Sequence, residues 1–198
     1  RTLEVIEEKF GKYLHEVKWL NMGGGHFLTA ENYNIELLIE TVKYFKEKYD
    51  LEIILEPGEG IIYKTGALLC SVLDIVQNSG IQTAIVDISF TAHIPDCLEM
   101  PFRPEIMGAK SAHVGKETYR MGGRSCLAGD YIRAGDYSFA KALEIGDRIV
   151  FENMMPYTMV QTTYFNGIKH PDICIWTKEE ELKTIRRFGF EDYKMQLS

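Results

Sequence analysis

Val17-Lys18-Trp19-Leu20-Asn21-Met22-Gly23-Gly24-Gly25 is an apolar run that ends in glycines, and Leu51-Glu52-Ile53-Ile54-Leu55-Glu56-Pro57-Gly58-Glu59-Gly60 repeats the design. Neither run alternates cleanly, so each reads as a strand buried on both faces. Between them Ile35, Leu38, Ile39, Val42 and Phe45 recur at helical spacing, with Glu36, Glu40, Lys43 and Lys46 opposite. Leu3, Ile6, Phe10 and Leu14 do the same ahead of the first run. The expected order over residues 1–56 is therefore helix, strand, helix, strand. Parallel strands joined by crossover helices place ligands at the strands' C-terminal ends, where both glycine-bearing loops fall.

The bulk properties set limits on partners. A chain of 198 residues with 45% hydrophobic and 26% charged residues can bury a real core. Its net charge of -7 is mixed along the sequence, with no basic stripe for a phosphate backbone, so nucleic acid is not an expected partner. Residues 67–76, among the longest apolar runs, are interrupted by Ser71 and Asp74 and are too short to span a bilayer. No membrane partner is expected, and no signal core opens the chain. Cys70, Cys97, Cys126 and Cys174 lack CxxC or His/Cys pairing, which argues against zinc and against a disulfide framework. The expectation is a cytoplasmic protein.

From about Ser111 the sequence changes to short strands and turns: 113–120, 131–132, 147–152, 158–165 and 173–176, separated by glycine-containing pairs such as Gly122-Gly123, Gly146-Asp147 and Asn166-Gly167. This half reads as a β domain. An irregular stretch with Pro95, Pro101 and Pro104 precedes it, and a short charged helix over 178–187 with a polar tail closes the chain. The expected division is thus 1–110 and 111–198. With only two parallel strands, the first part cannot close a barrel, and the chain is expected to lack an N-terminal half of comparable size.

Several residues carry chemistry. Glycines without Cβ let backbone N–H groups wrap an anion, although glycine-rich turns also serve simply as tight turns. His26 either packs against an aromatic ligand or is satisfied in its loop. Glu56 ends a strand with a carboxylate, which is a solvated turn acid or, beside the glycines, one wall of a pocket. Cys126, in Gly122-Gly123-Arg124-Ser125-Cys126-Leu127-Ala128-Gly129-Asp130, is a packing residue or a proton donor. Tyr157, in Asn153-Met154-Met155-Pro156-Tyr157-Thr158, is expected at a strand entrance, as a core-edge residue or a ligand contact.

In this order, the four segments resemble fold-type III pyridoxal-phosphate decarboxylases, the group of ornithine, arginine and diaminopimelate decarboxylases. The resemblance implies an α/β plus β protein: the C-terminal part of an alanine racemase-like TIM barrel, followed by a β-barrel or sandwich domain. It implies pyridoxal 5'-phosphate as cofactor, with Gly23, Gly24, Gly25, Glu56, Gly58 and Tyr157 as its contacts. Glu56 would pair with the pyridine nitrogen and Tyr157 would lie near the phosphate. Cys126 would be the catalytic acid, in a loop of the pattern Cys-x-x-Gly-Asp that reaches the neighbouring subunit's site, so a homodimer with shared active sites is implied. The lysine that holds the cofactor would lie upstream of these residues.

Two departures narrow the group. The arginine that follows Glu-Pro-Gly is Glu59 here, and the acid that follows the cysteine is Leu127. Trp19 to His26, Leu55 to Glu59 and Asp96-Cys97-Leu98-Glu99-Met100-Pro101-Phe102-Arg103-Pro104 resemble the carboxynorspermidine (carboxyspermidine) decarboxylase branch. The implied small-molecule substrate is a polyamine precursor that loses its α-carboxylate in polyamine biosynthesis. Glu59, Asp87, Asp96 and Glu99 would line its path, since acids offset the desolvation of a polyamine's ammonium groups, and Asp130 would shape the cysteine loop or meet the substrate. The alternatives are a related diaminopimelate- or ornithine-like decarboxylase, and an inactive homologue that binds a regulatory partner.

Overall fold

The computed structural model of the chain describes residues 2–114 and 117–197. The chain divides into two compact units at Tyr63/Lys64.

The first unit is helix α1 (Thr2–Leu14), strand β1 (Trp19–Asn21), helix α2 (Ile35–Tyr49), strand β2 (Glu52–Ile54) and helix α3 (Gly58–Ile62). Asn34 caps α2 through its side chain, which accepts from Leu37 N at 2.8 Å, and Asp50 ends the helix in a left-handed conformation. β1 and β2 pair in parallel, Leu20 opposite Ile53. Leu14, Phe45, Tyr49 and Leu51 form the unit's small core, with Leu20 and Ile53 packed against it. The expected burial on both strand faces is not met, because the helices cover only one: Trp19 and Ile54 remain exposed on the other.

The second unit is built on a six-stranded mixed sheet ordered β5-β7-β6-β4-β3-β8, comprising β3 (Leu68–Asn78), β4 (Ile81–Val86), β5 (Lys110–Ser111), β6 (Glu117–Gly122), β7 (Tyr137–Phe139) and β8 (Arg148–Phe151). β3 and β4 form a hairpin whose turn residues Ser79 and Gly80 have φ of 50° and 81°, the sense that matches strand twist. Among the described residues of this sheet, β4 and β6 are the only parallel pair. The expected boundary near residue 110 is therefore corrected to residue 63, because β3 hydrogen-bonds to β8 and β4 to β6.

Three other expectations also change. The irregular stretch holds two short helices, α4 (Phe90–His93) and α5 (Asp96–Glu99). Residues 158–165 are not a strand: α6 (Thr158–Gln161), closed by Val160 N and Gln161 N on Tyr157 O, leads into a turn, with Thr163 N bonded to Ala92 O. The charged segment 178–187 is not a helix but strand β10 (Leu182–Arg186), paired with β9 (Ile173–Trp176), and the tail forms α7 (Phe190–Gln196). Of the strand expected over 113–120, residues 115 and 116 lie outside the described residues.

The sheet's core includes Val72, Val86, Phe90, Ile94, Met121, Ile132, Tyr137 and Phe151. Phe90 and Phe151 meet edge to face at 5.8 Å between centroids, and both are fully buried. The Tyr137 hydroxyl donates to the Pro104 carbonyl at 2.6 Å, and the Arg103 guanidinium lies 3.9 Å over its ring. Truncating Phe151 to Ala leaves a cavity beside Phe90 and is expected to cost about 3–5 kcal/mol, read by denaturant unfolding.

Candidate functional site

In the first unit the chemistry gathers where the two parallel strands end. Asn21, the last residue of β1, uses both ends of its amide: Nδ2 donates to Glu56 Oε1 at 2.6 Å, and Oδ1 accepts from Gly23 N at 2.8 Å. The backbone follows the same track, with Glu56 N donating to Gly23 O at 2.8 Å. Gly23 and Gly25 have φ of 72° and 78°, open to glycine at no steric cost. Gly24 is constrained by packing instead, since a Cβ there would stand 2.7 Å from the Glu56 carbonyl oxygen. Gly58 N donates to the same carbonyl at 2.8 Å and opens α3, whose first turn carries Glu59.

Glu56 itself is exposed. His26 Nδ1 lies 2.9 Å from the Tyr33 hydroxyl, while its Nε2 is buried without a hydrogen bond. An open groove of about 750 Å³ is lined in part by Asn21, Met22 and His26. A carboxylate held at a strand end, a glycine turn open on its outer side and an orphaned imidazole nitrogen together fit a ligand with an anionic group and a ring nitrogen.

In the second unit the organising element is α4. Ser89 caps it, accepting from Ala92 N at 3.1 Å. Asp130, only 3% exposed, reaches it from the cysteine loop: Oδ1 accepts from Thr91 N at 2.9 Å and Thr91 Oγ1 at 3.2 Å, and Oδ2 from Ser125 N at 3.2 Å. A Cβ on Gly123 would stand 2.3 Å from Asp130 Oδ2. Of the two roles open to Asp130, shaping the loop is the one that its saturated, buried carboxylate supports. Arg124 N donates to Ile88 O at 2.9 Å, a second tie to the same segment.

The segment after Tyr157 docks on α4 as well, Thr163 N donating to Ala92 O at 2.8 Å. Beneath it His93 is 1% exposed. Nδ1 accepts from Ser89 N at 3.3 Å, and Nε2 makes no hydrogen bond of good geometry. Burial, reinforced by nearby His170, pushes this imidazole down to about 4. With both loops fixed to one helix, Asn166 Nδ2 reaches Cys126 Sγ at 3.2 Å. Cys126 is exposed, whereas Cys70 and Cys97 are buried and burial pushes their thiols up to about 12. Cys174 is exposed as well, on β9, and Cys126 is the exposed thiol that lies in the loop tied to α4.

Tyr157 is 59% exposed and sits in a three-residue turn, with Thr158 N donating to Pro156 O at 2.7 Å and Tyr157 at φ 60°, ψ -44°. This is the rare, strained γ-turn, not a strand entrance. The remaining acids differ in kind. Asp87 Oδ1 accepts from Ser71 N at 2.9 Å, a tie between strand ends. Asp96 and Glu99 lie in the first turn of α5, the first half-buried and the second exposed. Asn21, Thr91, His93 and Asn166 went unremarked as site residues in the sequence; Asn21, two residues before a glycine, had the only legible signal, that of an Asx turn.

The family model described as pyridoxal-dependent decarboxylase, C-terminal sheet domain, matches residues 27–155. A carboxyaminopropylagmatine decarboxylase from Synechocystis sp. is 47% identical over 100% of this chain and 51% of its own length. A carboxynorspermidine/carboxyspermidine decarboxylase from Campylobacter jejuni is 40% identical over 98% of this chain and 53% of its own. The chain spans about half the length of the curated relatives it matches. Among solved structures, carboxynorspermidine decarboxylase complexed with norspermidine from Campylobacter jejuni superposes with a TM-score of 0.89 at 42% identity, covering 98% of this chain and 55% of that one. Diaminopimelate decarboxylase from Helicobacter pylori, at 19% identity and a TM-score of 0.73 over 99% of this chain and 49% of that one, shares the fold.

His93 carries a pH signature. Its folded-state value lies below the ordinary 6.5, so the unfolded chain takes up the proton first as pH falls, and stability is lost between about 6.5 and 4. The loss should approach about 3 kcal/mol at the acid end. Glu7, whose carboxyl is held down to about 2 by hydrogen bonds from Lys48, Tyr49 and Tyr44, acts only below 4.5. Burial also pushes His170 down, so denaturant unfolding at stepped pH should show a slope between 6.5 and 4.5 that is reduced in His93→Gln and lost when His170 is replaced as well.

Proposed function

This chain belongs to the pyridoxal-dependent decarboxylases, and we propose that its reaction is loss of the α-carboxylate from carboxynorspermidine or carboxyspermidine, giving norspermidine or spermidine. The observation that carries the reading is the Asn21 bridge, which holds the Glu56 carboxylate beside the glycine turn. On this reading the helix–strand–helix–strand unit is part of an alanine racemase-like (β/α)8 barrel, with Lys64 onward in the sheet domain.

Pyridoxal phosphate, when bound, supplies the sink for the electron pair that the departing carboxylate leaves behind. The residues of this chain hold and protonate. N–H groups of the turn at Gly24 and Gly25 would face the phosphate, Gly23, whose own N–H is held by Asn21 Oδ1, would shape the turn, and the Tyr157 hydroxyl and Gly58 would complete the contacts. Glu56 would accept the ring N–H through a charge-assisted hydrogen bond, and Asn21 keeps that carboxylate from swinging into water. Cys126 Sγ–H delivers a proton to the carbon that lost the carboxylate. Leu127, in the position where other members carry an acid, gives no counter-charge beside Cys126. The substrate's amines are therefore assigned to Glu59, Asp96 and Glu99, while Asp87 and Asp130 support the backbone. The enzyme acts in the cytoplasm as a homodimer in which Cys126 serves the partner's pocket.

The Synechocystis relative's name favours a second substrate, carboxyaminopropylagmatine, with a guanidinium in place of an amine. Release of CO2 by the full-length protein from carboxynorspermidine, carboxyspermidine, carboxyaminopropylagmatine, diaminopimelate and ornithine separates the readings. Fastest turnover of either of the first two is expected, and preference for either of the last two would overturn the polyamine assignment. Glu56→Gln should keep the cofactor yet lower kcat by a factor on the order of 100 or more. In mixtures, Cys126→Ala and Glu56→Gln subunits should partly restore activity, because one site per heterodimer then holds both intact groups. No recovery despite proven subunit exchange would place Cys126 in its own subunit's site.

A further inference from the structure

We infer that Asn166 is a positioning residue for Cys126, its side-chain amide setting the orientation and reactivity of the thiol. Donor and acceptor are 40 residues apart in sequence and 3.2 Å apart in space. The backbone at Asn166 is bent to make this possible. Its φ of 57° and ψ of 22° are left-handed, Gly167 follows at φ 67°, and Gly167 N closes the turn on Tyr164 O at 2.8 Å. Asparagine tolerates that conformation better than most residues, so a turn role alone would also select it. The turn role does not explain why the amide ends on sulfur. Both partners are exposed, and in water an amide has no shortage of better acceptors than a thiol.

The docking of both loops on α4 explains the encounter. Asp130 and Arg124 N fix the cysteine loop from one side, Thr163 N fixes the other segment, and the Asn166 turn follows directly. The chemical consequence follows from direction. With Nδ2–H aimed at a sulfur lone pair, the S–H proton points away from Asn166, and the thiolate left after proton delivery keeps a hydrogen-bond donor. That consequence for turnover rests on the decarboxylase reading; the effect on the thiol does not.

The test uses the full-length protein with two variants. Asn166→Gly keeps the left-handed backbone and deletes the amide, and Asn166→Asp keeps the shape but deletes the donor. Iodoacetamide alkylation of Cys126 is read by peptide mass spectrometry against exposed Cys174 in the same sample. In Asn166→Gly it should slow about fivefold, the factor of one lost hydrogen bond, and more in Asn166→Asp, with Cys174 unchanged. The midpoint of the rate-against-pH curve should move upward in both. Arg124 and Asp130 on the cysteine loop, and Lys169 and His170 beyond the turn, are the same in the wild type and in both variants.

A purely structural role predicts the opposite sign, because a loosened loop exposes the thiol and speeds alkylation. Equal or faster alkylation of Cys126 in both variants overturns the inference, as does a wild-type Cys126 that resists the reagent while Cys174 reacts. If alkylation slows as expected but no carboxylated polyamine precursor is turned over, the decarboxylase reading falls and the positioning role stands.

Discussion

Asp130 is the constraint on which the second unit's chemistry depends. A buried carboxylate survives only when its lone pairs are taken by donors, and here Thr91 and Ser125 supply them. Hydrogen bonds to a charged group contribute about 1.5–3 kcal/mol each, which is enough to fix a glycine-flanked loop that has little side-chain packing of its own. Because the donors at Thr91 belong to α4, the loop takes its position from that helix. The segment after Tyr157 takes its position from the same helix through Ala92 O. The Cys126–Asn166 contact is the point at which those two anchored segments meet.

The first unit solves its problem with an amide instead of an acid. Asn21 spans the gap between the glycine turn and Glu56, so the carboxylate's direction is set from the neighbouring strand rather than by its own loop. Parallel pairing makes that possible, since Asn21 and Ile54 are register partners and the loops after them leave from the same edge. Both units thus use a short polar side chain from one segment to aim a reactive group on another.

Much of this was legible from residues alone. The helical period of α2, the parallel strand pair and the glycine-bearing strand ends all follow from local pattern, and the local pattern agrees with the fold at those places. Segments 158–165 and 178–187 misled for different reasons. In the first, β-prone Thr, Val and Tyr residues are diverted into a helical turn and a docking segment on α4; in the second, a charged run that reads as a helix pairs with Cys174 and its neighbours as an edge strand. Asn166-Gly167 reads in sequence as a turn dipeptide, which it is, and that reading hides the amide's second partner. Contacts between residues 40 apart have no local signature, so Asp130 could be assigned either role and Asn166 none beyond its turn.

The γ-turn at Tyr157 has a consequence for how this protein can change. Tyrosine at φ 60° is a conformation that glycine would adopt at lower energy, so the backbone at this point would be more stable with the phenol deleted. On the proposed assignment of Tyr157 to the cofactor, retaining tyrosine there places fold stability and ligand contact in opposition at a single position. A library selected for thermal resistance alone should drift toward glycine or asparagine at 157, whereas one selected for growth that depends on the proposed activity should hold the aromatic and gather its stabilising changes elsewhere.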